Sequence, residues 1–325
     1  MKKSPPLPLK VAVIGTINCD TVIRADGSKH EGFGGILYNL QVLSALCPDR
    51  ARIVPVVKLG ADRAEEIFEI LKGLRGIELE IIRVARGRNN HCFLKYHDDA
   101  SKSEVLEGWV GAVTRTQLKS IVNADVILVN FISGFDIGRD NLAWLSENST
   151  GLIFMDFHSR TLGRREDGSR FLRKPRDWKE YLACANIAQM NECEFELLSS
   201  KCATEQTCVH LLKELKGARL RCLIVTRGAK GCYVSFKEGQ RFTFLAIPAP
   251  KCGRVLDTTG CGDVFSAGFI SQYLHRPDIA KSAQFATRLA TWRTQFDDFF
   301  KVDFEGFRKE LRSHETSVKE TRTSS

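Results

Sequence analysis

Short apolar runs recur along the chain, and most of the gaps between them are amphipathic. Val11 to Gly15 form one run, and others cover 53–57, 125–130, 152–157, 186–191 and 221–226. Runs this short, continuous and rich in branched residues predict strands buried on both faces. Between them the period changes. Ile67, Leu71 and Leu74 fall on one face of a helix predicted within 61–75, and Val209, Leu212 and Leu215 on another that stops at Gly217. Strands alternating with helices predict an α/β fold whose mostly parallel sheet is covered on both faces. Two stretches break the alternation. Asn90–Tyr96 and Ser103–Trp109 flank the polar turn HDDASK and read as a β-hairpin, placed to project as a flap. GCYVSF and RFTFLAI, joined through KEGQ, read as a second hairpin.

The ends lack this patterning. Residues 1–9 are Pro-rich and read as a flexible, extended leader. Two lysines there precede no apolar segment, so the leader does not read as a secretory signal. Residues 313–325 carry a single apolar side chain, Val318, and read as a disordered tail, leaving 10–312 as a single domain. No run is apolar for long enough to cross a membrane.

Composition changes this picture in two respects. The formal net charge of +9 suits either nucleic acid or an anionic phosphate substrate. No basic helix interleaved with aromatics is present, which argues against nucleic acid. The 11 cysteines include no C-x-x-C pair, and Cys202, Cys208 and His210 match no zinc spacing. So many scattered thiols point to a reducing compartment, the cytoplasm.

Candidate chemistry concentrates in Asp257-Thr258-Thr259-Gly260-Cys261-Gly262-Asp263, ahead of the helical stretch VFSAGFISQYL. A Gly-punctuated turn at a helix start directs backbone N–H groups and the positive end of the helix dipole at one spot, an anion site. An acid at the mouth of that site is unfavourable for binding alone. It makes sense as a base, kept ionised by the dipole, that takes a hydroxyl proton during phosphoryl transfer. The alternative is that Asp263 merely caps the helix. No G-x-x-x-x-G-K-[ST] or complete G-x-G-x-x-G is present, which disfavours a P-loop enzyme and a nicotinamide-dependent oxidoreductase.

The stretch Asp257-Thr258-x-Gly260-x-Gly262-Asp263 resembles the C-terminal signature of the ribokinase-like (PfkB) carbohydrate kinases, with Cys261 where that family usually has Ala. Further motifs follow the family's order. Asp20, and Gly34-Gly35-x-x-x-Asn39, are similar to its acceptor-binding elements. Asn191-x-x-Glu194 is similar to its magnesium motif, and Thr226-x-Gly228-x-x-Gly231 to the element bordering the nucleotide phosphates. The resemblance covers residues 10 to 295 or so. It implies a three-layer α/β/α fold with a small β lid, its strands near 20–33 and 90–109, and transfer of the ATP γ-phosphate to a sugar or nucleoside hydroxyl. By the same resemblance Asp263 is the base, while Gly260, Cys261 and Gly262 form the anion hole. Asp20, Gly34, Gly35 and Asn39 hold the acceptor. Asn191 and Glu194 hold Mg2+ through water. Thr226, Gly228, Gly231, Asp257, Thr258 and Thr287 border the nucleotide.

Departures from the family pattern fall around the acceptor and the base pocket. The short segment between Asp20 and Gly34 implies a reduced lid and leaves monomer and homodimer both open. Asp156-Phe157-His158-Ser159-Arg160 stands where relatives have D-P-N-x-R, so His158 and Arg160 either meet ligand at a strand's carboxyl end or begin a surface loop. The arginine-rich stretch after it reads as a solvated surface or as an attractor of anionic substrate. Thr287 and Arg288 replace the residues usual near the adenine, leaving nucleotide preference open. A catalytically silent sensor on the same scaffold is the remaining alternative, and the intact Asp263 argues against it.

Overall fold

The structure, a computed structural model, describes residues 8–97, 102–215, 218–304 and 306–307. Most of the leader, the turn of the first hairpin, Gly217 and the 313–325 tail lie outside the described residues.

Six parallel strands form the centre of the main sheet: β1 (Leu9–Ile14), β4 (Ala51–Val56), β9 (Val126–Asn130), β10 (Leu152–Asp156), β13 (Ile187–Asn191) and β14 (Cys222–Thr226). Two antiparallel strands, β15 (Cys232–Glu238) and β16 (Arg241–Ile247), extend one edge, so the second hairpin belongs to the sheet. The full order is β16-β15-β14-β13-β10-β9-β1-β4. Pro55 cannot donate to a neighbour, and β4 is accordingly the edge strand.

Side chains alternate between two apolar layers. Val11, Val13, Leu128 and Phe154 pack towards α1 (Ile36–Leu46), α2 (Ala64–Lys72), α8 (Cys261–His275) and α9 (Ile279–Arg293). Ala12, Ile14, Val129 and Met155 pack towards α3 (Arg115–Lys119), α4 (Arg139–Asn148), α5 (Trp178–Ala183), α6 (Glu192–Ser199) and α7 (Glu205–Glu214). Burial on both faces explains why these strands read as continuous apolar runs. In α7 the buried face is Cys208, Leu211 and Leu212, with Val209 only half-buried.

Strand order reverses between β1 and β9, since β1 pairs with β4 on one side and β9 on the other. In open α/β sheets, ligands bind beyond the carboxyl ends of the strands at such a switch point.

The lid is larger than the short 20–34 segment implies. β2 (Cys19–Ile23) and β3 (Lys29–Phe33) form a complete hairpin, and with β7 (His91–Tyr96) and β8 (Lys102–Glu107) they make a four-stranded sheet in the order β3-β2-β7-β8. A compact turn makes this possible: Gly27 takes φ 82° and Ser28 N–H donates to Asp26 Oδ1 at 2.8 Å. The arginine-rich stretch also folds. β11 (Leu162–Arg164) and β12 (Arg170–Leu172) pair antiparallel and dock on β8, where Leu106 N–H donates to the Gly168 carbonyl at 2.9 Å and Arg164 Nε to the Leu106 carbonyl at 2.8 Å. A short parallel pair, β5 (Lys58–Gly60) with β6 (Arg83–Ala85), has no signal in the hydrophobic pattern.

Candidate active site

The cavity at the switch point has a volume of about 680 Å³ and lies between the sheet edge, the lid and the start of α8. A larger neighbouring cavity, about 860 Å³, shares Asp20, Tyr38, Tyr96, Thr258 and Thr259 with it but reaches neither Asp263 nor Glu194, so more of the candidate residues converge on the smaller one.

The turn into α8 has the geometry its glycines predict. Gly260 is the helix N-cap at φ 76°, a left-handed conformation that favours glycine, and a Cβ there would come within 2.8 Å of the Tyr38 ring. No side chain caps the helix, so its first-turn N–H groups have no acceptor within it. Asp263 therefore does not cap the helix. It stands in the first turn, 6% exposed, and its Oδ1 accepts from Asn130 Nδ2 at 2.7 Å. Burial raises its pKa above the ordinary carboxylate value, against the lowering influence of His158 and Asn130. The raised pKa runs against the expectation that this carboxyl is kept ionised. Burial likewise pushes the Cys261 thiol up to about 12, and its Sγ turns towards the Ala290 carbonyl.

Asn39 is not at the cavity wall. It is fully buried; its Nδ2 donates to the Asp263 carbonyl at 2.7 Å and to Ser266 Oγ at 2.9 Å, and its Oδ1 accepts from Asn130 at 3.0 Å. Its expected place is beside the acceptor; in this structure it instead holds the turn that carries Asp263. Asn130, unremarked within its apolar run, closes the network from the end of β9. The signal was a single amide ending an otherwise apolar strand.

Asp20 faces the cavity from β2. A Cβ on Gly34 would collide with its carboxylate, and Gly35, at φ 65°, caps α1. Enclosure, with Glu104 and Asp263 nearby, pushes the Asp20 pKa up to about 8. Asp156, Glu194 and Thr226 line the opposite wall. Asp156 Oδ2 accepts from Gln189 Nε2 at 2.7 Å, and burial lifts its pKa well above normal. Asn191 and Glu194 lock into a reciprocal capping box at the start of α6; both Glu194 oxygens accept from Asn191, at 2.6 and 2.9 Å, and burial pushes Glu194 up to about 8.

His158 and Arg160 divide. His158, strained at φ 31°, lines the cavity. Arg160 turns away, paired with Asp177 at 3.1 Å and stacked over Tyr181. Four other expected residues, Gly34, Gly228, Gly231 and Thr287, line neither large cavity. Gly228 and Gly231 form the turn after β14, where a Cβ on Gly231 would meet the Ile247 carbonyl. Thr287 is buried, with its Oγ1 donating to the Ala283 carbonyl at 2.8 Å. Thr258 lies on the wall of both cavities and Asp257 on the larger. Asp257 is gripped by Arg293, fully buried on α9, whose guanidinium donates to the Asp257 carboxylate at 2.5 Å and to the Phe296 carbonyl at 2.7 Å. The amphipathic pattern of α9 gave no sign of this contact.

Comparison with known proteins decides the family. The chain is 30% identical over 301 residues to the ribokinase of Haemophilus influenzae, covering 86% of this chain and 90% of that one. It belongs to the pfkB family of carbohydrate kinases. The family profile, "pfkB family carbohydrate kinase", matches residues 167–296, which include the α8 turn of this kinase. Cytidine kinase from Thermococcus kodakarensis is 24% identical over 272 residues, covering 82% of this chain and 88% of that one. The fold is ribokinase-like: Arabidopsis thaliana ribokinase, solved with ribose and ATP, superimposes with a TM-score of 0.68 at 18% identity, over 91% of this chain and 95% of that one. The enzyme is therefore a phosphotransferase with an alcohol group as acceptor. No helix among the described residues is long and apolar enough to cross a membrane.

Proposed function

We propose that this enzyme transfers the γ-phosphate of ATP to a hydroxyl of a sugar or sugar derivative, with Asp263 as the general base. The observation that carries this reading is the Asp263 carboxylate, pinned by Asn130 at 2.7 Å in the cavity that the α8 N-terminus also enters. The acceptor oxygen bonds to the γ-phosphorus, the bond from that phosphorus to the bridging oxygen breaks, and the hydroxyl proton passes to Asp263. The Gly260, Cys261 and Gly262 amides face the charge that builds on the transferred group. Asp20 holds an acceptor hydroxyl, and the lid excludes water. Among the described residues no three His, Cys, Asp or Glu side chains converge as a direct metal site, so Mg2+ would be held through water at the Asn191 and Glu194 wall of the cavity. Asn191 and Glu194 would hold it through water, because both Glu194 oxygens are already occupied, and it would neutralise phosphate charge.

A nucleoside acceptor is the second reading, favoured by the apolar flank of the cavity. Leu94 and Tyr96 of the lid face Phe171 and Leu172 of the β11–β12 hairpin, and the last two are 37% and 66% exposed. We place the enzyme in the cytoplasm, as one kinase domain over 10–312, monomeric or homodimeric.

The test is phosphate transfer from Mg-ATP, and separately from pyrophosphate, across sugars, phosphosugars, sugar acids and nucleosides, with Asp263→Asn run beside the native protein. ATP-dependent turnover lost in the variant supports the reading. Turnover with pyrophosphate alone removes ATP as donor, and ATP binding without turnover of any acceptor leaves the silent sensor.

A further inference from the structure

Three arginines have side chains at most 9% exposed in the ion pairs of this fold, and two of them hold a carboxylate at hydrogen-bond distance, although the Nε of each has no partner. Arg160 meets Asp177 at 3.1 Å, and Arg293 meets Asp257 at 2.5 Å. Arg170, on β12, does not follow suit. Its side chain is 2% exposed, yet Nε and Nη1 have no hydrogen-bond partner, and Nη2 reaches only the Ser159 carbonyl, at 3.5 Å. The nearest carboxylate oxygen, Glu104 Oε1, stands 4.0 Å from Nε, beyond hydrogen-bond reach. A buried guanidinium with most of its N–H donors open is costly unless something supplies the acceptors.

The fold has made room for this group. Arg170 lines the same cavity as Asp20 and Asp263, on the side formed by the lid and the hairpin. Gly134 runs beneath it, and a Cβ there would lie 3.3 Å from Nη2. The Phe135 ring centroid lies 5.8 Å from the guanidinium carbon, one of its walls. Burial pulls the Arg170 pKa below its ordinary value, in keeping with a cation lacking a full counter-charge.

We propose that Arg170 is a specificity residue that binds an anionic group, carboxylate or phosphate, carried by the acceptor. This rests on the kinase reading above and names the acceptor class: an acidic sugar derivative whose reacting hydroxyl points to Asp263 while its anion meets Arg170. A planar fork of N–H donors in an enclosed site recognises such oxygens, and a neutral acceptor leaves those donors unpaired. Glu104 weakens the preference without cancelling it, because it lies outside bonding distance and is 19% exposed.

The experiment measures binding by calorimetry without nucleotide, and turnover with Mg-ATP, for matched pairs: gluconate against glucose, 2-ketogluconate against fructose, ribose 5-phosphate against ribose, with cytidine alongside. The native enzyme is expected to prefer an acidic member at least about tenfold, and the pair that responds distinguishes carboxylate from phosphate. Arg170→Met, checked for folding by its melting curve, is expected to lose about 100-fold in kcat/KM for that acceptor while its neutral partner changes little. Arg170→Lys, which keeps the charge but not the fork, falls between. Glu104→Gln tightens the acidic acceptor. Preference for a neutral acceptor, or equal losses on both members of a pair in Arg170→Met, overturns the proposal and leaves the kinase reading standing. Acid binding that depends on Arg170 but never leads to turnover does the reverse. Absence of binding by every acidic compound also overturns it.

Discussion

The two ends of the cavity are built differently. At the end proposed for the phosphate, side chains hold the turn around Asp263: Asn39 and Asn130 bond to Asp263, and Arg293 bonds to Asp257 before it. At the end proposed for the acceptor, Phe171 and Leu172 are exposed, Arg170 Nε and Nη1 lack hydrogen-bond partners, and the lid adds a small apolar cluster of its own around Cys92, Leu94 and Leu106. Transfer of a phosphoryl group depends on positioning and electrostatics, and a rigid first turn supplies both. Discrimination among acceptors depends on what a looser, chemically distinct wall leaves unsatisfied until the right molecule arrives.

The contrast can be broken at several points. Asp263→Asn should lower kcat by about 10²–10⁴-fold, read in a steady-state assay, while the melting curve stays near native. A fall of less than tenfold would remove Asp263 as the base. Arg293→Ala should cost about 3 kcal/mol of stability in urea titrations, since it strips Asp257 of its partner and opens a cavity, and added guanidinium should restore part of the lost activity. No rescue alongside normal kcat would show that the grip on Asp257 does not matter to the chemistry. Gly34→Ala should raise the acceptor KM by about 10- to 100-fold by displacing the Asp20 carboxylate, with nucleotide binding unchanged.

The pH dependence sharpens the same contrast. With the Asp20 pKa raised to about 8, the group is protonated at neutral pH and can donate to an acceptor oxygen; above that pH it only accepts. The acceptor KM should therefore shift through about pH 8 and lose that inflection in Asp20→Asn. The stability sign follows: the folded state holds this proton where the unfolded chain has lost it, so the Asp20 contribution falls as pH rises from the ordinary carboxylate value to about 8. Leu172→Ser should be the smallest change, within about 0.5 kcal/mol in stability, with any effect confined to the acceptor KM. An effect on kcat would tie the hairpin to the phosphate end.

What the sequence showed tracks this division. The six parallel strands were legible because burial on both faces forces continuous apolar runs, and the α8 turn because its glycines and acid leave few other uses. Asn39 was legible as a motif but not as a contact: a short amide beside a helix start serves a ligand or a neighbouring carbonyl equally well, and only packing shows that it takes the Asp263 carbonyl. Asn130 and Arg293 were hidden because each owes its place to a residue more than thirty positions away. The β11–β12 hairpin was hidden because strands of three residues carry no period, and its arginines read as solvated. Thr287 shows the opposite failure, a family position whose side chain here is spent on its own helix.

The bonds between that hairpin and β8 also govern how the lid can travel. They fasten one margin of the four-stranded sheet to the chain leaving β10, while the β3 margin, at the other side, borders the larger cavity. A lid clasped along one side opens like a book cover rather than lifting like a cap. Any such opening would widen from β3, beside Phe33 and Tyr38 of the larger cavity, and would leave Arg170 at the fastened side.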